Sequence, residues 1–287
     1  MNTIRNCSVL IPYYNKPSSI GTVLSAIVNL QNELDPWTLC EILILIDGSP
    51  LPKQTLPSIV RCITLQKNQG LANARNLLID QCKGDFIIFF DADAVPKLGA
   101  FSSIVQHWDG KSLIAGTEDN SPEKGLANQF RRYFWVQTQG HQTLPTAPYF
   151  FGLVFAAPTE MLRKVGEFDR KIGNFGEDIE YSMRLRKMGF NIQYEPNLKV
   201  FHQRNDSLLS LIKLIYHHSK SQILAHQMHQ CSIIEIVWNS LLWIFVASGS
   251  ALKTHKSVSL FWVTLALCTW SFLVKLFASI MGSIHRQ

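Results

Sequence analysis

Two carboxylates one residue apart, Asp91 and Asp93, close an unbroken apolar and aromatic run, Phe86-Ile87-Ile88-Phe89-Phe90. On an extended segment such a pair can share one hard divalent cation with an anionic substrate, because hard cations take oxygen ligands. Polar groups end two other apolar runs: Asp47 follows Ile42-Leu43-Ile44-Leu45-Ile46, and His202 follows Lys199-Val200-Phe201. Asp178 falls in the first turn of a segment that reads as helix, where the dipole favours an ionised carboxylate by roughly 0.3–1 kcal/mol. His217, His218, His226 and His229 match no zinc spacing. With Lys213 and Lys220 they read as the basic face of an amphipathic stretch, 208–230, lying on anionic lipid.

The elements that must hold these groups follow from periodicity. Residues 7–11 read as a first strand, stopped by Pro12 and the turn Tyr13-Tyr14-Asn15-Lys16-Pro17. Ser18 or Ser19 is placed to cap a helix whose apolar positions, Ile20, Val23, Leu24, Ile27 and Leu30, recur at helical spacing. Strands are expected at 42–46, 60–65 and 86–90, and a helix at 71–82. The run 86–90 reads as a strand buried on both faces, with its acids at the carboxyl end, the edge where open parallel sheets bind ligands. Strand and helix alternating in this way predict parallel pairing with right-handed crossovers, the doubly wound α/β class. Beyond it are expected a helix over 98–108, a strand over 113–115, a helical segment over 126–139, a strand over 149–157 and a helix opening at Pro158-Thr159. Gly152, inside that last strand, marks a close approach of a ligand or another backbone. A loop rich in Gly and Asn leads into a helix ending near Met188-Gly189, and 192–194 and 199–201 read as two short strands.

The chain has 287 residues, 47% hydrophobic, with a net charge of +6. That is one sizeable α/β domain with an extension. Cys7, Cys40, Cys62, Cys82, Cys231 and Cys268 are dispersed without CxxC spacing, which points away from a zinc site or a disulfide framework and toward a reducing compartment. The N-terminal apolar run, Val9-Leu10-Ile11, is too short for a signal peptide or a span. No nucleic-acid partner is expected. The hydrophobic weight lies at the other end. Residues 236–252 carry no charge, Lys253-Thr254-His255-Lys256 follows, and a second apolar run covers 258–274 before Lys275 and a further stretch to Met281. Each approaches the roughly 17–25 residues that span a bilayer, and Trp238, Trp262 and Trp270 suit its interfaces. A two-helix hairpin would return His285-Arg286-Gln287 to the side of the α/β domain; a re-entrant or interfacial hairpin is the alternative.

In their order, these residues resemble a family 2 glycosyltransferase of the GT-A, nucleotide-diphospho-sugar transferase fold. The matching stretches are Val9 through Lys16, Ile46-Asp47-Gly48-Ser49, Asn68 through Asn76, Asp91-Ala92-Asp93, Glu177-Asp178 with Arg184 following, and His202. They cover residues 7 to about 205. The resemblance implies a GT-A (Rossmann-like) domain with a mostly parallel central sheet over 1–206. An amphipathic membrane-proximal segment, 207–232, and a hydrophobic, transmembrane hairpin, 233–287, complete the chain. It further implies that Tyr14 and Asp47 hold the base with Pro12 beside them, that Asp91 is a ribose or diphosphate-side contact, and that Asp93 ligates Mg2+ or Mn2+. His202 is then a second protein ligand and Asp178 the catalytic base. The chain departs from the family pattern at Ile46, where an acid is usual.

Simpler structural readings stand beside these. Asp47 is also the acid of an Asp-Gly turn, Asp178 a helix N-terminal acid, and His202 a half-buried hydrogen-bonded residue. Arg75 is either a contact to the nucleotide phosphates or a surface charge of its helix. The expected activity is inverting, metal-dependent transfer of a sugar from a nucleotide-diphosphate donor, a UDP-sugar first, to a hydroxyl of a lipid-linked or envelope glycan. Asp178 is expected to face the acids across the donor sugar, with the catalytic domain on the cytoplasmic side of a bacterial inner membrane. The rivals are a polyprenyl-phosphate glycosyltransferase with a phosphate acceptor, and a non-catalytic nucleotide-binding membrane subunit.

Overall fold

The computed structural model describes residues 6–16, 18–50, 55–119, 124–172, 175–229, 232–254 and 257–284. Among residues named above, Pro17, Cys231, His255, Lys256 and His285-Arg286-Gln287 lie outside these, as do parts of the Gly- and Asn-rich loop before Phe175. The chain divides into two compact units. The first comprises Met1–Asp119, Gln137–Asn174 and Tyr181–Gln203; the second comprises Asn120–Val136, Phe175–Glu180 and Arg204–Gln287. The expected boundary at 206 thus falls near the start of the last segment of the second unit, which also takes in two earlier stretches.

In the first unit, strands β1 (Asn6–Tyr13), β2 (Thr38–Asp47), β3 (Val60–Leu65), β4 (Phe86–Phe90), β5 (Ala94–Pro96), β6 (Leu113–Glu118), β7 (Val154–Pro158) and β8 (Ile192–His202) form one sheet. Its order is β3-β2-β1-β4-β7-β6-β8-β5. The pairs β3–β2, β2–β1, β1–β4 and β6–β8 are parallel, as the alternation of strand and helix predicts. β7 runs antiparallel to both β4 and β6, and β5 antiparallel to β8. The expected short strands at 192–194 and 199–201 are one strand, β8, whose pairing with β6 shifts register between Ala115 and Thr117.

Every residue of β4 is buried, because the sheet is covered on both faces. Residues alternate along each strand, so Val9, Ile11, Ile42, Ile44, Phe86, Ile88 and Phe90 pack with helices α1 (Ile20–Leu30) and α3 (Ala100–His107). Leu10, Leu43, Leu45, Ile87 and Phe89 pack on the other face with α2 (Leu71–Gln81), α5 (Thr159–Val165) and the part of α6 (Glu177–Lys187) that carries Tyr181 and Leu185. Fully burying each Phe or Ile in this way is worth about 1.5–3 kcal/mol.

β1 does not stop at Pro12. Its pairing with β4 ends at Leu10, while its pairing with β2 continues through Pro12↔Leu45 to Tyr13. Past Leu10 the strand is therefore paired on one side only, the edge situation that tolerates a residue without an N–H. The expected cap of α1 also differs: Ser19 makes no side-chain cap and instead donates to the Lys16 carbonyl at 3.2 Å. Distant acids serve two other helices. Glu33 accepts from the N–H groups of Gly99 at 2.9 Å and Phe101 at 3.2 Å, at the start of α3. Asp47 does the same for α2, as described below. The segment 126–139 is helical only over α4 (Leu126–Phe134), and the expected strand over 149–157 begins at Val154.

The second unit contains α4, the first turn of α6, α7 (Leu208–Met228), α8 (Ile234–Lys253) and α9 (Val258–Ile284). The Ser207 and Ser210 side chains cap each other's backbone at the start of α7. Leu211, Leu214 and Ile215 of α7 are buried with Ile244 and Ala247 of α8 and Leu260 and Leu267 of α9. Lys213, His217 and Lys220 remain exposed. Ile234–Lys253 and Val258–Met281 are long and apolar enough to cross a membrane.

Candidate active site

The parallel strands β3-β2-β1-β4 bring their carboxyl ends to one edge, and β1 sits where the chain order reverses, with β2 on one side and β4 on the other. Ligands bind at such a switch point. Tyr14, 53% exposed, follows β1 at this edge, while Tyr13 is buried with its hydroxyl 3.3 Å from the Pro50 carbonyl. Pro12 is the penultimate residue of β1.

Asp47 ends β2 and is buried. Its Oδ1 accepts from the Gln69 N–H at 2.7 Å and its Oδ2 from the Gly70 N–H at 2.9 Å, immediately ahead of α2. Gly48 makes this approach possible. Its φ is +67°, and a Cβ there would lie 2.2 Å from the Asn68 nitrogen. Asp47 is thus both a turn acid and the clamp that seats the Asn68-Gln69-Gly70 loop.

Arg75 is neither a surface charge nor an open side chain: it is 1% exposed. Its guanidinium lies 5.4 Å from the Phe168 ring centroid and 5.9 Å from that of Phe155. Nη2 donates to the Gly152 carbonyl at 2.9 Å and stands 3.7 Å from Asp91 Oδ1. The close approach marked by Gly152 is this side chain, since a Cβ there would sit 2.4 Å from Nη2. Arg75 therefore reaches the edge through Asp91, which is partly exposed.

Asp93 and His202 are brought together by strand register. β5 pairs Ala94 with His202, and the Gln203 N–H donates to the Asp93 carbonyl at 2.8 Å. His202 Nε2 lies 3.4 Å from Asp93 Oδ1, and Lys16 Nζ lies 2.5 Å from Oδ2. Burial by itself would raise the Asp93 pKa, but the hydrogen bond and charge of His202 and the Lys16 ammonium outweigh it and hold the carboxyl well below its usual range. The group stays ionised at neutral pH. His202 is 5% exposed, and its other ring nitrogen, Nδ1, lies 3.4 Å from Oε1 of the buried Glu118. Glu118 Oε2 accepts from the Gln137 N–H at 3.2 Å.

No group of three or more His, Cys, Asp or Glu among the described residues is arranged to hold a metal ion by protein atoms alone. Asp93 and His202 nevertheless suit a hard divalent ion whose remaining ligands come from a diphosphate and water, as is usual for Mg2+. A carboxylate behind the far nitrogen of the histidine is the arrangement that orients a metal-binding imidazole. Sequence reasoning assigned Lys16 and Glu118 no role. The signal for Glu118 was available: like Asp47, it is an acid closing an apolar strand, Leu113-Ile114-Ala115-Gly116-Thr117-Glu118.

Asp178 lies in the first turn of α6, in the second unit, buried at 9% exposure, and its Oδ1 accepts from the Ile179 N–H at 2.8 Å. Glu177 and Glu180 beside it are also buried, and His229 Nε2 is 3.1 Å from Glu180 Oε1.

The profile of glycosyl transferase family 2 matches residues 8–166, more than half of the chain. The chain belongs to glycosyl transferase family 2. It is 24% identical over 271 residues to a pre-mycofactocin glycosyltransferase of Mycobacterium tuberculosis (strain CDC 1551 / Oshkosh), a match covering 88% of this chain and 55% of that protein. It is 27% identical over 219 residues to the poly-beta-1,6-N-acetyl-D-glucosamine synthase of Staphylococcus aureus (strain COL), covering 68% of this chain and 49% of that one. The chain thus spans about half the length of these curated relatives. Among solved structures, the mannosyltransferase PcManGT from Pyrobaculum calidifontis, in complex with GDP-Man and Mn2+, aligns at a TM-score of 0.63 with 14% identity. That alignment covers 97% of this chain and 88% of the other. GalNAc-T7 with UDP, GalNAc and Mn2+ aligns at 0.58 with 17% identity, covering 88% and 52%. The chain has the GT-A fold.

Proposed function

We propose that this glycosyltransferase moves a sugar, with inversion, from a nucleotide-diphosphate donor, a UDP-sugar first, to a hydroxyl of a lipid-linked or cell-envelope glycan. The observation that carries the reading is the line Lys16–Asp93–His202–Glu118 at the carboxyl edge of the sheet, beside the Asp91–Arg75 pair. Tyr14 is the exposed ring against which a base stacks. Asp47, with Pro12 nearby, shapes the pocket for that base by fixing the loop into α2. Asp91, backed by the Arg75 guanidinium, meets the ribose or diphosphate side.

Asp93 and His202 are the protein ligands for Mg2+ or Mn2+, and Mn2+ is named with both solved transferases above. When bound, such an ion neutralises the charge that builds on the departing diphosphate. Asp178 is the general base. It takes the proton of the acceptor hydroxyl as the new C1–oxygen bond forms and the C1–O–phosphate bond breaks, the electron pair leaving with the nucleoside diphosphate. One displacement with one base inverts the anomeric carbon.

The reading of a membrane enzyme rests on α8 and α9, which expose Trp238, Phe245 and Phe277 at 59%, 71% and 66%. A chain held at a bilayer by these helices suits a lipid-embedded acceptor, with the catalytic unit on the cytoplasmic face of a bacterial inner membrane, where nucleotide sugars are made. The test is a donor screen reading released nucleotide in membranes with Mn2+ or Mg2+, repeated with Asp178→Asn. Loss of turnover by about 100-fold or more, the range expected for a general base, with donor binding kept, supports a hydroxyl acceptor. Little loss points to a phosphate acceptor, and no turnover with any donor points to a non-catalytic subunit.

A further inference from the structure

The second unit contains a charged group the transfer reaction does not use. Lys275 is the sole charged residue of α9. Its Nζ donates to Ser240 Oγ of α8 at 2.9 Å and lines a cavity of about 320 Å³. The wall mixes polar and apolar groups: Asn239 and Ser240 come from α8, Ser271 from α9 and Gln222 from α7, beside the apolar Ile236 and Trp243. Among the described residues no carboxylate lines it. Ser271 is fixed by its hydroxyl contact with Ser219 of α7 at 2.9 Å.

A cation placed in an apolar helix is costly, and such groups mark ligand paths or partner sites. Here the position is informative. Ser240 is six residues after Ile234, where α8 starts, and Lys275 nine before Ile284, where α9 ends. At 1.5 Å per residue these lie about 9 and 14 Å in from one shared end of the helix pair. With the pair in a bilayer, that depth is on the headgroup side of the midplane of a roughly 30 Å hydrocarbon core. The Ser240 hydroxyl donates to the Ile236 carbonyl at 2.7 Å, so the donors on offer are the ammonium and the Asn239 and Gln222 amides, a set that matches a phosphate and repels a free cation.

We propose that this cavity binds the anionic phosphate of a lipid, its apolar chain lying along the exposed faces of α8 and α9. The proposal deepens the reading of a membrane enzyme with a lipid-borne acceptor and rests on it. The lipid is either a polyprenyl phosphate carrier or an anionic bilayer phospholipid; the chemistry recognised is the same.

The test is native mass spectrometry of the full chain in detergent with a polyprenyl phosphate, phosphatidylglycerol or phosphatidylcholine, and inorganic phosphate as competitor. The intact chain should retain the lipids with net negative phosphate over phosphatidylcholine, and Lys275→Met should lower retention at least ten-fold. Lys275→Arg should stay within about three-fold, since either cation pairs with phosphate. Preference for the polyprenyl phosphate identifies the carrier as the source; equal retention of phosphatidylglycerol identifies the bilayer. Asn239→Leu, which fills the cavity and keeps the ammonium, supplies the same readout should Lys275→Met fail to fold. Undiminished retention in the folded variants overturns the proposal, as does inorganic phosphate competing as well as the lipid. Because retention needs no turnover, an inactive chain that retains lipid phosphate refutes the transferase reading and leaves this one standing. Release of the chain from membranes by alkaline carbonate refutes the bilayer placement on which both rest.

Discussion

Glu118→Gln is the sharpest perturbation of the site, because it changes one atom and no volume. The Glu118 carboxylate serves two groups at once, with Oε1 at 3.4 Å from His202 Nδ1 and Oε2 at 3.2 Å from the Gln137 N–H. An amide has a single acceptor oxygen, so glutamine must turn its NH2 toward one of them. If it abandons the backbone N–H, a buried donor is left unmet at a cost of about 1–3 kcal/mol. If it abandons His202, the imidazole loses the group that fixes its tautomer and keeps Nε2 directed at Asp93; losses of this kind weaken metal binding about 10–100-fold. Both contacts are long, so values near the low end are expected: a metal concentration for half-maximal activity raised about ten-fold, with saturated turnover recovered at high Mn2+. Initial rates of nucleotide release across a Mn2+ titration, beside thermal unfolding of the metal-free protein, separate the two outcomes. Unchanged metal dependence together with unchanged stability would refute the role given to Glu118 and weaken that given to His202.

Gly152→Ala should destabilise the first unit by about 1–3 kcal/mol, as overpacking does, because the new Cβ would lie 2.4 Å from a guanidinium boxed by two rings; denaturant unfolding measures it, and donor affinity should fall as Asp91 loses its support. Asp47→Asn puts an NH2 against the Gln69 or Gly70 N–H and should cost about 1–3 kcal/mol, with faster hydrogen exchange at those two amides. His218 on α7 is pushed down to about 4 from an ordinary 6.5 by burial first, with Arg204 and Arg131 adding to it and Glu177 opposing. A base whose folded pKa is depressed contributes stability that is complete above its unfolded pKa and lost as the pH falls through the window between the two. Unfolding midpoints should therefore drop between pH 6.5 and 4, by an amount of order 2 kcal/mol, and His218→Phe should flatten the profile; an equally steep profile in that variant would exclude the histidine as its source.

What the sequence determined by itself was local and periodic. The runs 42–46 and 86–90 are fully apolar, 60–65 is apolar or β-branched except at Arg61, and the structure has strands there, β3 and β4 at the expected bounds. The placement of Asp47, Asp91 and His202 at strand ends was legible for the same reason: a charged residue ends a stretch that must be buried. The ordered combination of motifs named the family, and the length and apolarity of the last two helices followed from composition.

What the tertiary structure decided was pairing across distance. That β7 enters antiparallel between β4 and β6, and that Pro12 lies within a strand, depends on which neighbours a strand keeps, and no local pattern encodes this. Helix caps came from acids far away in sequence, Glu33 and Asp47, while the adjacent Ser19 turned elsewhere. Arg75 reads in sequence as a polar position on a helix; it is buried because Gly152, 77 residues on, leaves room for it. Glu118 acquires its meaning only through the β6–β8 and β5–β8 registers that bring it, His202 and Asp93 into line. A carboxylate's type can be read from a chain, but its partner is set by the sheet, since register alone fixes which side chains end up within hydrogen-bonding reach.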